Sequence, residues 1–116
     1  MAPIPAEPRP LTTLVETQPD TVVSRVLLRT QGCTITAFAF AEGEGLTEHT
    51  SPHTAVVQML EGQMKITLRH DDERGEVTHT MCRGDILRIP PSVPHALYGR
   101  GAFKMLLTLA RDDAPR

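Results

Sequence analysis

The sequence predicts an all-β protein. Short runs rich in Val, Ile, Leu, Thr and Phe alternate with turn signals that contain glycine or proline, from Gln31-Gly32 to the Gly99–Gly101 segment. Runs of this length leave no room for a long amphipathic helix. The 116 residues, 40% of them hydrophobic, suit one domain with one modest core.

The first 20 residues fit a strand least well. They hold half of the ten prolines of the chain, and proline is excluded from central strands. We therefore expect residues 1–20 to form a proline-rich arm, either disordered or laid as an edge segment over a neighbouring subunit. The folded domain is expected to span residues 21–112.

A hairpin is predicted in the middle of the chain. Glu61-Gly62 connects VVQML to QMKITLR, and a glycine at such a tight connection can adopt the positive φ that the turn requires. In the second run Met64, Ile66 and Leu68 share one face, which predicts a strand with one buried and one wet face. Near the C-terminus, FKMLLTLA (residues 103–110) is apolar on both faces, which indicates a central strand or one covered by a second subunit.

Composition excludes several functions. A net charge of −2 supplies no basic field, so nucleic acid is not an expected partner. No apolar segment approaches the roughly 18 residues of a membrane span, and none has the pattern of a secretory leader, so we expect a cytoplasmic protein without a membrane partner. Cys33 and Cys82 lie in apolar runs and are expected to be buried, reduced thiols. Serine-elbow, phosphate-loop and dinucleotide motifs are missing from the sequence.

The most informative stretch is GDILRIPPSVPHALYG, from Gly84 to Gly99. Its opening glycine permits a chain reversal, Pro90-Pro91 stiffens the following loop, and Pro94 favours extended geometry at Val93. The stretch therefore predicts that His95 begins a strand and is positioned by rigid backbone. From these residues alone, a histidine on the outer face of the strand or one hydrogen-bonded in the core is the alternative to one aimed into the interior of a small barrel.

An earlier block, which opens at Gly43 and contains His49, precedes this stretch. Together the two blocks resemble the cupin superfamily over roughly residues 35–110. In the second block Gly84, Pro90 and His95 match the family pattern, whereas Ser92 and Gly99 replace an expected glycine and asparagine. The resemblance implies a double-stranded β-helix, a jelly-roll β-barrel, in which His95 lines the interior.

The resemblance also indicates which positions would hold a metal ion in this family. Metal-binding cupins usually present two histidines separated by one residue, then a glutamate, and these join the later histidine. Here His49 stands at the first histidine position, but Ser51 occupies the second and Ala55 occupies the glutamate position. Two of the four expected ligands are missing, and a divalent transition metal needs at least three strong protein ligands.

His53 could supply the third ligand. Residues four apart on a straight strand lie roughly 13 Å from one another, so the chain must bend between His49 and His53, and Ser51-Pro52 is a suitable place. The sequence therefore leaves two alternatives: a His49, His53, His95 site for one divalent transition metal (Zn, Ni, Mn or Fe), or no metal.

Three further residues are expected near the pocket: Gln58, Met59 and Met105. Gln58 lies in an apolar run, where a buried amide needs a hydrogen-bond partner, supplied either by a ligand or by a neighbouring strand or subunit. His79 alternates with Val77 and Met81, so we expect it to share their face as a core or interface histidine.

Two functions remain open from the sequence. The first is a non-catalytic protein that binds a small molecule in a mostly apolar pocket around His49 and His95. The alternative is a metal-dependent enzyme of the oxygenase or isomerase type that acts on a small organic molecule. A homodimer is expected in either case, because a small sandwich exposes strand edges and apolar outer faces.

Overall fold

The computed structural model describes residues 4–111, so the first three residues of the predicted arm and the last residue of the predicted domain lie outside it. Nine strands and one short 3₁₀ helix make up the described part. The helix is Leu11–Leu14, and the strands are β1 (Val22–Arg29), β2 (Cys33–Phe40), β3 (Gly45–His49), β4 (Thr54–Glu61), β5 (Gln63–Arg69), β6 (Glu76–Cys82), β7 (Ile86–Ile89), β8 (His95–Tyr98) and β9 (Phe103–Ala110).

The strands form two antiparallel sheets. The five-stranded sheet has the order β1-β2-β9-β4-β7, and the four-stranded sheet has the order β3-β8-β5-β6. Consecutive strands alternate between the sheets over much of the chain, which is the jelly-roll topology of a double-stranded β-helix. The all-β prediction is confirmed. Among residues 4–111 no helix is long and apolar enough to cross a membrane.

The main core lies between the sheets. Met64, Ile66 and Leu68 are 2%, 0% and 2% exposed, whereas Lys65 on the other face of β5 is exposed. The predicted alternation of this strand is therefore confirmed, as is the tight turn before it, where Gly62 has a φ of +80°. The residues of this core, which we call the inner core, are Phe40, Ala55, Val57, Met59, Met64, Ile66, Leu68, Met81, Ile89, Leu97, Phe103 and Met105.

A second apolar cluster covers the outer face of the five-stranded sheet. Val15, from the N-terminal arm, is 4% exposed and packs on Leu27, Ala37, Ala39, Leu60 and Leu106. Beneath the arm, the Nζ of Lys104 donates to the carbonyl oxygen of Thr12 at 2.8 Å. The described part of the arm therefore packs on its own chain. It also covers the outer face of β9, which runs between β2 and β4 as a central strand.

The two cysteines are both free, but their environments differ from the prediction. Cys33 is half-buried and Cys82 is exposed. Cys82 follows the buried Met81 at the end of β6, so strand alternation turns its side chain outward. The expectation of two buried thiols was wrong for Cys82.

Candidate functional site

A β-bulge in β3 brings two histidines to the same face. Leu46 pairs with Leu97 and His49 pairs with His95, so β3 advances one residue more than β8 between the two pairs. Without the extra residue, alternation would place His49 on the face opposite to Leu46. The bulge therefore turns His49 towards the side on which Leu97 and His95 are buried.

The two imidazole rings form a contacting pair. Their centroids lie 4.2 Å apart and the ring planes meet at 60°. His95 is only 6% exposed, whereas His49 is exposed. The pair thus runs from the protein surface to the edge of the inner core, and we call it the histidine pair.

Both rings are held in the same tautomer. The Nδ1 of His49 lies 2.8 Å from the carbonyl oxygen of Thr47, and the Nδ1 of His95 lies 2.9 Å from the carbonyl oxygen of Val93. A carbonyl oxygen can only accept, so each Nδ1 carries the hydrogen and donates it. In the neutral rings both Nε2 atoms are then free to accept a hydrogen bond or to bind a Lewis acid.

Burial keeps His95 neutral. Desolvation lowers the pKa of His95, the hydrogen bond to Val93 opposes that shift, and the neighbouring His49 adds a smaller lowering. Glu48, which adjoins His49 in sequence, is exposed and forms a salt bridge with Arg69 at the surface. His95 therefore presents the Nε2 of a neutral ring as an acceptor at neutral pH.

This shift predicts a pH dependence of stability. The unfolded chain binds a proton on His95 near pH 6.5, the ordinary value, while the folded chain resists it, so unfolding becomes more favourable as the pH falls below that value. Urea unfolding at pH 7 and pH 5 should show a loss of stability in the wild type that is smaller in His95→Gln. Equal losses in the two proteins would show that His95 does not contribute.

The loop before His95 is tied to the loop after His49. The amide of Ser92 donates to the carbonyl oxygen of Ser51 at 2.7 Å, and the amide of Arg69 donates to the carbonyl oxygen of Pro94 at 2.9 Å. Ser92 has a φ of +65°, a conformation that glycine adopts without strain. Ser92 thus adopts the left-handed conformation at the position where the family pattern has glycine.

The structure does not bring His53 into the histidine pair. His53 is half-buried in the loop between β3 and β4, and its amide donates to the hydroxyl of Ser51 at 3.2 Å. Within residues 4–111, no group of three or more His, Cys, Asp or Glu side chains is placed to hold a metal ion. The predicted three-histidine set is therefore not assembled in this conformation.

The three predicted pocket residues divide between two faces. Met59 and Met105 are 3% and 1% exposed, pair with each other across β4 and β9, and belong to the inner core. Gln58 is exposed, between the buried Val57 and Met59, so it lies on the outer face of the sheet. The expectation that the Gln58 amide is buried was wrong, because strand alternation turns this side chain outward although its neighbours in sequence are apolar.

His70 directly follows β5, which ends at Arg69. It is half-buried, and its Nδ1 is shielded from solvent without a hydrogen-bond partner in the described part of the chain. It follows Arg69, whose amide is bonded to the loop that carries His95. No sequence signal distinguished it, because the charged residues after it, Asp71 to Glu73, are typical of an exposed turn.

Comparison with known proteins agrees with this architecture. A cupin superfamily protein from Desulfitobacterium hafniense is 29% identical, with coverage of 97% of both chains and a TM-score of 0.84. A conserved protein of unknown function from Streptococcus pyogenes is 32% identical over 98% of both chains, with a TM-score of 0.83. A cupin 2 conserved barrel domain protein from Leptotrichia buccalis is 30% identical, over 87% of this chain and 46% of the other, with a TM-score of 0.77.

No family model matches the sequence, and no curated protein matches it. The fold and its histidine pair nevertheless define a small jelly-roll barrel with a polar group aimed towards its interior. The chain belongs to the cupin superfamily. The sequence departs from the metal-binding pattern at Ala55, which occupies the glutamate position. In the structure this residue is 2% exposed and packs in the inner core.

Proposed function

We propose that this cupin binds a small organic molecule at the histidine pair. The observation that carries the proposal is the shared tautomer: two adjacent imidazoles whose Nδ1 atoms are both occupied by backbone carbonyls, so that both Nε2 atoms are acceptors. A site built in this way is complementary to a ligand that carries hydroxyl or N–H donors. The apolar side chains around the pair, Leu46 and Val93, which pack on the inner core, would contact the carbon skeleton of such a ligand.

A metal-dependent enzyme is the second candidate, and one observation favours it. Metal-binding histidines commonly donate their other ring nitrogen to a carbonyl or carboxylate, as both histidines do here. Two imidazoles, however, fall short of the three protein ligands that a catalytic metal site requires, and Ala55 adds no oxygen donor. The residues present therefore do not fit a resident metal, and the binding function is the better supported of the two.

Nuclear magnetic resonance of imidazole nitrogens tests the proposal. Protein labelled with ¹⁵N-histidine is titrated with a panel of small polyols, hydroxy acids and amino alcohols, each matched by its O-methyl or N-methyl derivative, and separately with Zn²⁺, Ni²⁺, Mn²⁺ and Fe²⁺. We expect a compound with free donors to shift the Nε2 signals of His49 and His95 together, and its methylated partner to bind at least about tenfold more weakly.

The control is His95→Phe, which keeps a ring of similar size but removes both nitrogens. We expect this variant to lose the binding. Unchanged binding in His95→Phe would contradict a site at the histidine pair. If stoichiometric binding of a metal ion were seen and no organic compound bound without it, the second candidate would replace the first.

A further inference from the structure

The outer face of the four-stranded sheet carries a cavity that the histidine pair does not use. Its volume is about 170 Å³, and it is lined by residues 63–65 of β5, Thr80 of β6, Tyr98 of β8, and Arg100 and Gly101 of the loop before β9. Tyr98 lies three residues after His95, so strand alternation turns the two side chains to opposite faces of the sheet. We call this second location the outer cavity.

Strand pairing sets a lysine between two polar side chains in the outer cavity. Lys65 stands directly opposite Tyr98 on one side and opposite Thr80 on the other. Directly opposed residues in an antiparallel sheet have Cβ atoms about 5 Å apart. All three side chains are exposed, Tyr98 at 49%. The register therefore places a cation, an aromatic ring and a hydroxyl in one row on the same face.

The loop after β8 forms a wall of the outer cavity and is held at both ends. The amide and the carbonyl of Gly99 are both hydrogen-bonded to the loop before β3, at 3.2 and 3.1 Å. At the other end, a Cβ at Gly62 would lie 2.5 Å from the carbonyl oxygen of Ala102, so the two backbones are in close contact. Arg100 and Gly101 lie between these two points, and their positions are therefore fixed by backbone contacts.

The outer cavity has an excess of positive charge. Lys65 and Arg100 line it, and none of its lining residues is acidic. Within residues 4–111 neither cation forms a salt bridge, and neither does Glu44 in the loop that is bonded to Gly99. Two cations on one cavity repel each other, and an anion between them is attracted to both. Arginine also presents a planar fork of N–H donors that matches a carboxylate.

We propose that the outer cavity binds a small organic acid, with the carboxylate between Lys65 and Arg100 and the carbon skeleton against the Tyr98 ring. The volume limits the size of the ligand. An apolar cavity of about 150 Å³ holds one benzene ring, so the outer cavity has room for a molecule of about the size of benzoate. Because the lining is exposed, each ion pair raises the affinity by only a small factor, and we expect a dissociation constant in the millimolar range.

Titration of ¹⁵N-labelled protein with benzoate, followed by the backbone amide signals, tests the proposal. We expect the signals of Lys65, Tyr98 and Gly101 to shift saturably. Benzamide has the same ring without the charge and should bind at least about threefold more weakly. Phenyl phosphate is titrated separately, and the assignment of a carboxylate would be wrong if this compound bound and benzoate did not.

Three variants locate the binding. Lys65→Met removes the charge and should weaken benzoate binding at least about threefold. Arg29→Met is the matched control, because it removes one positive charge at an exposed position of β1 in the other sheet, and should leave the affinity unchanged. Gly101→Leu should abolish binding, since no atom lies within 4 Å of a Cβ there and its φ is not positive, so a side chain can occupy the cavity without backbone strain.

Four results would overturn the proposal. The first is that benzoate shifts none of the three amide signals, or shifts only the imidazole signals of the histidine pair. The second is that benzamide binds as tightly as benzoate. The third is that Arg29→Met weakens binding as much as Lys65→Met, and the fourth is that Gly101→Leu binds benzoate like the wild type.

Discussion

Replacing Phe103 with alanine should destabilise the protein by about 4 kcal/mol, the largest single effect that we expect. Phe103 is 1% exposed and its ring stacks on Phe40 with 4.2 Å between centroids and 8° between planes. Two glycines leave the space it fills: a Cβ at Gly99 would lie 2.4 Å from the Phe103 ring, and one at Gly62 would lie 2.8 Å from the Phe103 Cβ. On the side of Gly62 and Gly99 this space is lined by backbone, which offers no side chain to fill the cavity.

Urea unfolding measures this effect. A domain of this size has a free energy of unfolding of roughly 5–15 kcal/mol in total. The variant should therefore be only marginally stable at physiological temperature. Phe38→Ala is the control: Phe38 is on the same face of β2 but only half-buried, with its ring 5.8 Å from Phe40. We expect Phe38→Ala to lose less than half as much stability, and equal losses would show that the Phe40–Phe103 stack is not the centre of the core.

Several features of the fold were predictable because local and global signals agree. The turn at Glu61-Gly62 combines a glycine with alternating strands on both sides, and the observed positive φ follows directly. The same holds for His95, whose position after Pro90-Pro91 and Pro94 fixes the start of β8. In both cases the local backbone conformation is set by glycine, which can adopt a positive φ, or by proline, whose φ is fixed.

The bulge in β3 could not be predicted. Its sequence, GLTEH, contains no proline and only an initial glycine, so nothing marks the residue that is left unpaired. The orientation of His49 depends on that bulge, which forms because β3 must match β8. Pairing between distant strands therefore decides which way the first histidine points.

Which residues are buried on the outer face of the five-stranded sheet could not be predicted from the sequence either. Lys104 is 8% exposed because the N-terminal arm lies over it, with its ammonium group bonded to Thr12 and 3.7 Å from Glu61. Gln58, on the same outer face of the sheet, is exposed. The sequence around both residues is similarly apolar, and only the path of the arm distinguishes them.

Gly45→Ala should disrupt both stability and the histidine pair. Gly45 begins β3 and pairs with Tyr98 on β8, at the end of the strand pair opposite to His49 and His95. A Cβ at Gly45 would lie 2.2 Å from the carbonyl oxygen of Leu97 and 2.9 Å from the Cα of Tyr98. Both are backbone atoms, so β3 must move away from β8, at a cost that we place near the upper end of the usual 1–3 kcal/mol for overpacking.

The displacement should also separate the two imidazoles, since the short β3 is held in its sheet by β8 alone. In ¹⁵N-histidine spectra we expect the signals of His49 to move towards those of a free, solvated imidazole, whereas those of His79 on the opposite edge remain in place. Gly101→Ala is the matched control, because no atom lies within 4 Å of a Cβ there and its φ is not positive. If Gly45→Ala left the His49 signals unchanged, or if Gly101→Ala moved them as far, then close contact between β3 and β8 would not be what holds the pair together.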